Sequence, residues 1–458
     1  MSRAISALIG ATITFFVLTF IEHYDFAIII DLTFGTKEDS YNNFHSLILI
    51  ISMMIIVTIA NEAGLFQFIA IKLIKLSKGH PIYLLIISSL IIVFIAAILN
   101  NLLAVIICIP LTITVSRILN INPSPYILTQ AVIVNLGASF FIISSIPNIL
   151  IANYAEISFI NFFLNVGLIS LIILGFTLAF FIFLYKDDLL IPKEGIPILM
   201  EFDVWNLVQN KKLMYQTIIS LSILILLFIL IPPIILSLDA IALVIALILI
   251  IISGLNGKEL IQKIDFELIF YLIGIFIITG ALEILGVLEI IGIYLGNMLS
   301  VNVVFQIIII LWFSAGLSAS VDNIPITKVL IPIIGAISKN NPSLYRNYYY
   351  YSLAIGSNWG DNLTPLGDNI LVLNLAEQHK RPISFNLFFK LGFITTIFQL
   401  AIISLIFILI FEFIIGITIT SALIFVIFLF YILYTYGSNR IKLKFKSIST
   451  NFRNIIIK

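Results

Sequence analysis

Two pairs of polar side chains interrupt runs that are otherwise apolar. Asn100-Asn101 divides "AAILNNLLAVIICIPLT" (96–112), and Asp322-Asn323 divides "ASVDNIPITKVLIPII" (319–334). Each is followed downstream by a second cluster. The first holds Gly137, Ser139, Ser144, Ser145, Pro147 and Asn148; the other runs from Gly356 through Asn358, Asp361, Asn362, Thr364, Pro365, Asp368 and Asn369. Pro and Gly at this density end a helix, leaving free N–H groups on one side of the break and free carbonyls on the other. N–H ends hold anions, while carbonyls and Asn or Asp side chains hold cations, so two tips and two breaks could build one ion site. Lys328 belongs to the same set, because an ammonium at bilayer depth costs about 3 kcal/mol on insertion scales and should find a partner. Asp322, Asp361 and Asp368 are the obvious ones, and the ammonium paired with one of them could release a proton when the site opens or replace a bound cation. A plain structural ion pair is the other reading. The three carboxylates outnumber Lys328, so an anionic ligand would need a co-bound cation or protonated acids.

The elements that position these residues follow from composition. Of 458 residues, 61% are hydrophobic and 10% charged, with a mean hydropathy of +1.20, which requires a bilayer as solvent and leaves no stretch for a separate soluble domain. The first apolar segment, 4–21, has no clear small-residue cleavage site after it and is expected to stay. The single cysteine, Cys108, excludes an internal disulfide and reads as a small core residue. Glu22, His23 and Asp25 are poorly spaced for a metal and read as a solvated loop; no catalytic set, metal ligand set or nucleic-acid partner is expected.

The chain is internally repeated. "IVTIANEAGLFQFIAIKLIKLS" (56–77) matches "IITGALEILGVLEIIGIYLGNMLS" (277–300), and both Asn101 with Asn323 and Pro110 with Pro332 stand at an offset of 222 residues. The fold expected is an all-α polytopic membrane protein with an inverted structural repeat, about ten spanning helices, two re-entrant hairpins and two broken helices. The expected organisation is a first helix and external loop (1–43), then repeat 1 (44–184) with hairpin 82–118 and broken helix 125–150. A cytoplasmic loop and linking helices (185–266) lead to repeat 2 (267–415) with hairpin 304–339 and broken helix 346–375. A last helix and basic tail (416–458) complete the chain. With both termini in the cytoplasm of a cell-membrane protein, all Lys and Arg except Lys37, Lys328, Lys339 and Arg346 fall on the cytoplasmic side, as the positive-inside rule requires. Residues 65–78 read as an interfacial helix, with 287–299 its repeat partner. Glu62 and Glu283 read as helix caps at the interface, and Tyr348–Tyr351 as an aromatic belt at a helix end.

These motifs, with "GSNWGDNLTPLGDNILVLNLAEQHKRPISF" and "SSIPNILIANYAEISFINFF", resemble the ion transporter superfamily over roughly residues 44–415. The closest branch is that of arsenite permease (ArsB), the melanosomal P-protein and NhaD-type antiporters, related to the divalent anion/sodium symporters of the citrate transporter type. The resemblance implies a homodimer in the bilayer and no cofactor beyond a coupling Na⁺ or H⁺. It also implies elevator-type alternating access, in which hairpin tips and broken helices move. The candidate substrate- and ion-binding residues, read from the tips and breaks, are Asn100, Asn101, Gly137, Ser139, Asn148, Asp322, Asn323, Asn358, Asp361, Asn362, Thr364, Asp368 and Asn369, with Lys328 and Asp322 as the coupling candidates by their charge at bilayer depth. This chain departs from the branch at Asn100, where an Asp is usual, and at Asp361, Asp368 and Lys328, where small or apolar residues are usual. The function expected is a secondary active transporter of a small inorganic or organic ion, arsenite- or anion-permease-like. A Na⁺/H⁺ antiporter is the alternative, with an intramembrane enzyme on a lipid substrate or a non-transporting paralogue further off.

Overall fold

The computed structural model describes residues 2–37, 40–189, 195–298, 302–338, 343–365 and 369–436, with Ser447 and Thr450. Every regular element among them is a helix, as expected where no water is present to satisfy an open sheet edge. Eight helices are long and apolar enough to cross a membrane, and shorter apolar helices accompany them.

Hairpin one consists of Pro81–Ile98 and Asn101–Ile118. Extended backbone at Leu99 and Asn100 separates the arms, and the Asn100 side chain caps the second by accepting from the Leu103 N–H at 2.9 Å. Hairpin two consists of Val303–Ser318 and Asn323–Ser338, and Asp322 Oδ1 accepts from the Ile324 N–H at 3.2 Å. The first broken helix runs Ser124–Gly137, makes one short turn at Ile142–Ser144, and restarts as Ile146–Tyr154 under a Ser145 cap. The second runs Ser343–Gly360, turns at Asp361–Leu363 and restarts as Asn369–Gln378.

The repeat extends to the backbone. Gly64 (φ +75°) turns the Asn42–Glu62 span into Leu65–Lys75, and Gly286 (φ +71°) turns the Phe266–Ile284 span into Val287–Met298. That left-handed conformation is open to glycine at little steric cost. In each half the first hairpin arm packs on the first part of the broken helix, Pro81–Ile98 on Ser124–Gly137 and Val303–Ser318 on Ser343–Gly360. The contact is backbone-close: a Cβ on Gly137 would stand 2.8 Å from the Val93 carbonyl oxygen, and one on Gly360 would stand 2.4 Å from that of Ala315. Outside this unit the N-terminal helix, Arg3–Phe16, lays Ala4, Ala7 and Ala11 toward Phe266–Ile284, where Ala7 meets Gly274. Small residues let helices approach closely where lipid supplies no hydrophobic drive between them.

Two sequence expectations are corrected. The Tyr348–Tyr351 run is no interfacial belt, since Tyr349, Tyr350 and Tyr351 are buried. Four consecutive residues span the whole circumference of a helix, and here the neighbouring helices enclose it. Two of the hydroxyls find internal partners, Tyr348 donating to Asn165 Oδ1 and Tyr349 to Gln306 Oε1. Glu62 forms an ion pair with Lys263 at 2.8 Å, tying the end of its span to the linker that precedes Phe266–Ile284.

Replacing Gly360 with Ala should lower stability by about 1–3 kcal/mol, because the methyl has backbone on its contact side and nothing there can rotate away. The unfolding temperature in detergent reads this directly. Gly175→Ala, where nothing lies within 4 Å of the added Cβ, should leave that temperature unchanged, and equal effects at the two sites would contradict the assignment.

Candidate functional site

Both hairpin tips donate into the break of their own half. Asn101 Nδ2 donates to Asn135 Oδ1 at 2.5 Å, and Asn323 Nδ2 donates to Asp361 Oδ2 at 2.8 Å. The other Asp361 oxygen and the Ser357 carbonyl both lie within hydrogen-bond reach of Ser318 Oγ, whose single O–H they share. Each tip is therefore fastened twice over, by chain connection and by a carboxamide.

The halves are then joined to each other. Asn135 Nδ2 donates to Asn362 Oδ1 at 2.7 Å, and Asn362 Nδ2 donates to the Val132 carbonyl at 2.9 Å. Asn358 Nδ2 donates to Asn148 Oδ1 at 2.8 Å, and Trp359 Nε1 donates to Ser139 Oγ at 3.0 Å. Asn148 in turn donates to the Ala138 and Phe141 carbonyls, closing the first break, while Asn369 Nδ2 donates to the Asp361 carbonyl, closing the second. Thr364 Oγ1 donates to the Ala319 carbonyl at hairpin two. Leaving such a group unpaired at this depth costs about 1–3 kcal/mol, so the breaks persist because side chains answer their carbonyls. Two amide oxygens, Asn101 Oδ1 and Asn358 Oδ1, are buried without a hydrogen-bond partner and are suited to a cation or a donor on a ligand.

In front of this network lies a cavity of about 470 Å³. Its walls include Asn100 and Asn101 of one tip, Asp322 and Asn323 of the other, Ser144 and Ser145 of the first break, and Leu371 beyond the second. At its mouth stand Arg3, Asp265 and Glu267. Of the thirteen candidate site residues, Asn100, Asn101, Asp322 and Asn323 line the cavity, and Ser139, Asn148, Asn358, Asp361, Asn362, Thr364 and Asn369 form the bonded layer behind it. Gly137 supplies the close packing described above, and Asp368 lies outside the described residues.

Of the three carboxylates expected to pair with Lys328, Asp368 lies outside the described residues, and Asp322 and Asp361 bond to other side chains. Lys328 Nζ donates to Asn43 Oδ1 at 2.6 Å and stands 5.1 Å from the centre of the Phe276 ring. Among the described residues no ion pair joins it to Asp322 or Asp361. Six positions separate 322 from 328, which on a helix places them about 120° apart around the axis and roughly 9 Å along it. Asp322 instead pairs with Arg3 at 2.7 Å. Sequence reasoning missed Arg3, Asn135, Ser318 and Trp359. Asn135 carried a usable signal, a carboxamide in "AVIVNLG" two residues before a helix-ending glycine; Arg3, 319 residues from its partner, carried none.

Two inverted halves, with paired hairpin tips meeting paired helix breaks at one cavity, define a polytopic membrane protein of transporter fold. The sequence model of the citrate transporter family (CitMHS) matches residues 1–356, and the chain belongs to that family. It is 26% identical over 385 residues to the 46 kDa membrane protein of Mycobacterium leprae, covering 82% of this chain and 90% of that one. An uncharacterized transporter of Mycobacterium tuberculosis is 27% identical over 371 residues, covering 80% and 86%. The human P protein is 24% identical over 454 residues, covering 80% of this chain and 53% of its own length. In fold the chain is similar to the crystal structure of the Alcanivorax borkumensis YdaH transporter, with a TM-score of 0.55 at 14% identity over 87% of this chain and 88% of that one. The protein is a membrane transporter.

The Asn135–Asn362 bond should behave as a joint between the halves. Asn135→Ala and Asn362→Ala should each destabilise by about 1–3 kcal/mol, and the double variant should lose at least about 0.5 kcal/mol less than their sum. Additive losses in unfolding experiments would mean that the two amides act separately.

Proposed function

We propose that the protein is a secondary active transporter for a small polycarboxylate of the citrate class, carried together with cations. The observation that carries this reading is the cavity itself. Its described charged lining is Arg3 against Asp265, Glu267 and Asp322, a net charge of −2, in a space that admits an organic acid. A bare tri- or dicarboxylate would be repelled by that lining, whereas the same acid with a divalent or monovalent cation bound would be neutralised. The family's name supports a carboxylate over arsenite, and the acidic lining supports cation coupling.

Elevator-type alternating access fits the bonding pattern. Hairpins and broken helices are tied by Asn101–Asn135, Asn323–Asp361, Asn135–Asn362 and Asn148–Asn358, so they would move as one body. Spans such as Asn42–Glu62, packed on Leu238–Ser253, and Arg3–Phe16, packed on Phe266–Ile284, would form the stationary frame. The cavity mouth shares its face with Glu62 and Lys263; by the distribution of Lys and Arg that face is cytoplasmic, in a cell-membrane protein with both termini inside.

Purified protein in proteoliposomes should take up radiolabelled citrate saturably, and only with Mg²⁺ or Na⁺ present. Asp322→Asn, which removes a lining charge while keeping an oxygen to accept from the Ile324 N–H, should reduce that flux at least about tenfold, the equivalent of roughly 1.4 kcal/mol, while its unfolding temperature stays near that of the parent. Cation-independent citrate uptake would overturn the charge argument. Absence of citrate flux alongside robust arsenite flux or Na⁺/H⁺ exchange would overturn the substrate class.

A further inference from the structure

The Arg3–Asp322 pair has features that a simple surface ion pair lacks. Arg3 Nη1 donates to Asp322 Oδ2 at 2.7 Å, with the Arg3 side chain 52% exposed and that of Asp322 17% exposed. The two residues come from opposite sides of the mechanical division. Arg3 opens a helix seated by Ala4, Ala7 and Ala11 toward Phe266–Ile284, where Ala7 and Gly274 come too close to admit a Cβ. Asp322 caps the tip of hairpin two, whose next residue, Asn323, is bonded to Asp361 of the second break. Both side chains line the cavity mouth, and Asp265 and Glu267 stand in the same lining as further acceptors for a guanidinium.

We propose that Arg3 is a tethered counter-cation and latch: it occupies the Asp322 carboxylate at the cavity mouth, and an inorganic cation entering the cavity competes with it. This rests on the reading of the cavity as a binding site for a cation-bearing substrate. While Arg3 holds Asp322, the tip of hairpin two is tied to the frame helix. When a cation neutralises Asp322, the guanidinium is released toward Asp265 and Glu267 and the tip is free to leave. A half-exposed pair suits this role, because it is worth only about 1 kcal/mol and can be exchanged within a transport cycle, whereas a fully buried pair could not. Arg3 would thus set how much cation is needed, as a positioning residue that acts through Asp322.

The test uses the full-length protein in detergent, with thermal unfolding followed against MgCl₂ and, separately, NaCl, ionic strength being held constant with choline chloride. The parent should be stabilised by one of these salts with a measurable half-saturation concentration. In Arg3→Gln that concentration should fall about fivefold, the factor corresponding to roughly 1 kcal/mol. Arg3→Lys should restore a value near the parent's. Asp322→Asn should abolish the salt-dependent shift, and adding Arg3→Gln to it should change nothing further. An unchanged or raised half-saturation concentration in Arg3→Gln overturns the proposal even if the unfolding temperature drops, since a purely structural pair would lower stability without moving cation affinity. No stabilisation of the parent by either salt also overturns it. The readout needs no flux, so failure of citrate uptake with this competition intact would reject the substrate class and leave the latch standing.

Discussion

A chain that breaks its helices at bilayer depth must answer the exposed backbone groups from within itself, and carboxamides do so here. An amide side chain offers both donors and acceptors without a charge to desolvate, so it can close a break and still reach a neighbour. The series from Asn101 through Asn135 and Asn362 to Asn369 runs from the tip of one hairpin, across the two halves, to the restart of the second broken helix. Asp361, with both oxygens engaged, anchors the second tip to the same layer. Without that layer the tips would be loose loops in hydrocarbon, and the cavity in front of them would have no fixed shape.

On the proposed elevator reading, the same layer marks off the moving body. Bonds inside it are numerous and buried, whereas the contacts of hairpin two toward the frame include an exposable ion pair at Arg3 and a hydrogen bond from Lys328 to Asn43. A body held stiffly within and loosely at its border can move without unfolding, which gives the transport reading a physical basis. The acidic mouth, with Asp265, Glu267 and Asp322 against Arg3, is what supports the proposal that the ligand's charge is matched before it enters.

Much of this was legible in the sequence, for a physical reason. Where 61% of residues are hydrophobic, each Asn, Asp, Pro or Gly inside an apolar run is conspicuous, so the tips at Asn100-Asn101 and Asp322-Asn323 and both breaks stood out, and their recurrence gave the inverted repeat. Partner choice was not legible. Lys328 looked like the natural counter-ion of Asp322, yet helical geometry turns it to another face, and a terminal arginine takes the place. Four tyrosines at one helix end looked like a belt, because burial by neighbouring helices leaves no mark in the run itself. Asn135 could have been found by the rule that found Asn148, since it too is a carboxamide beside a helix stop.

The proposed transport cycle requires that the cavity between the hairpin tips be the substrate's path and open to one face at a time. It is tested most directly by a single cysteine at Leu371, which lines the cavity, in a chain whose one native cysteine, Cys108, is changed to Ser. Membranes of known sidedness are treated with an impermeant maleimide, with and without citrate and Mg²⁺. Reaction is expected from the face that carries Arg3 and Asp265, and should slow when citrate and Mg²⁺ are added together. Equal labelling from both faces, or labelling indifferent to citrate and Mg²⁺, would contradict it.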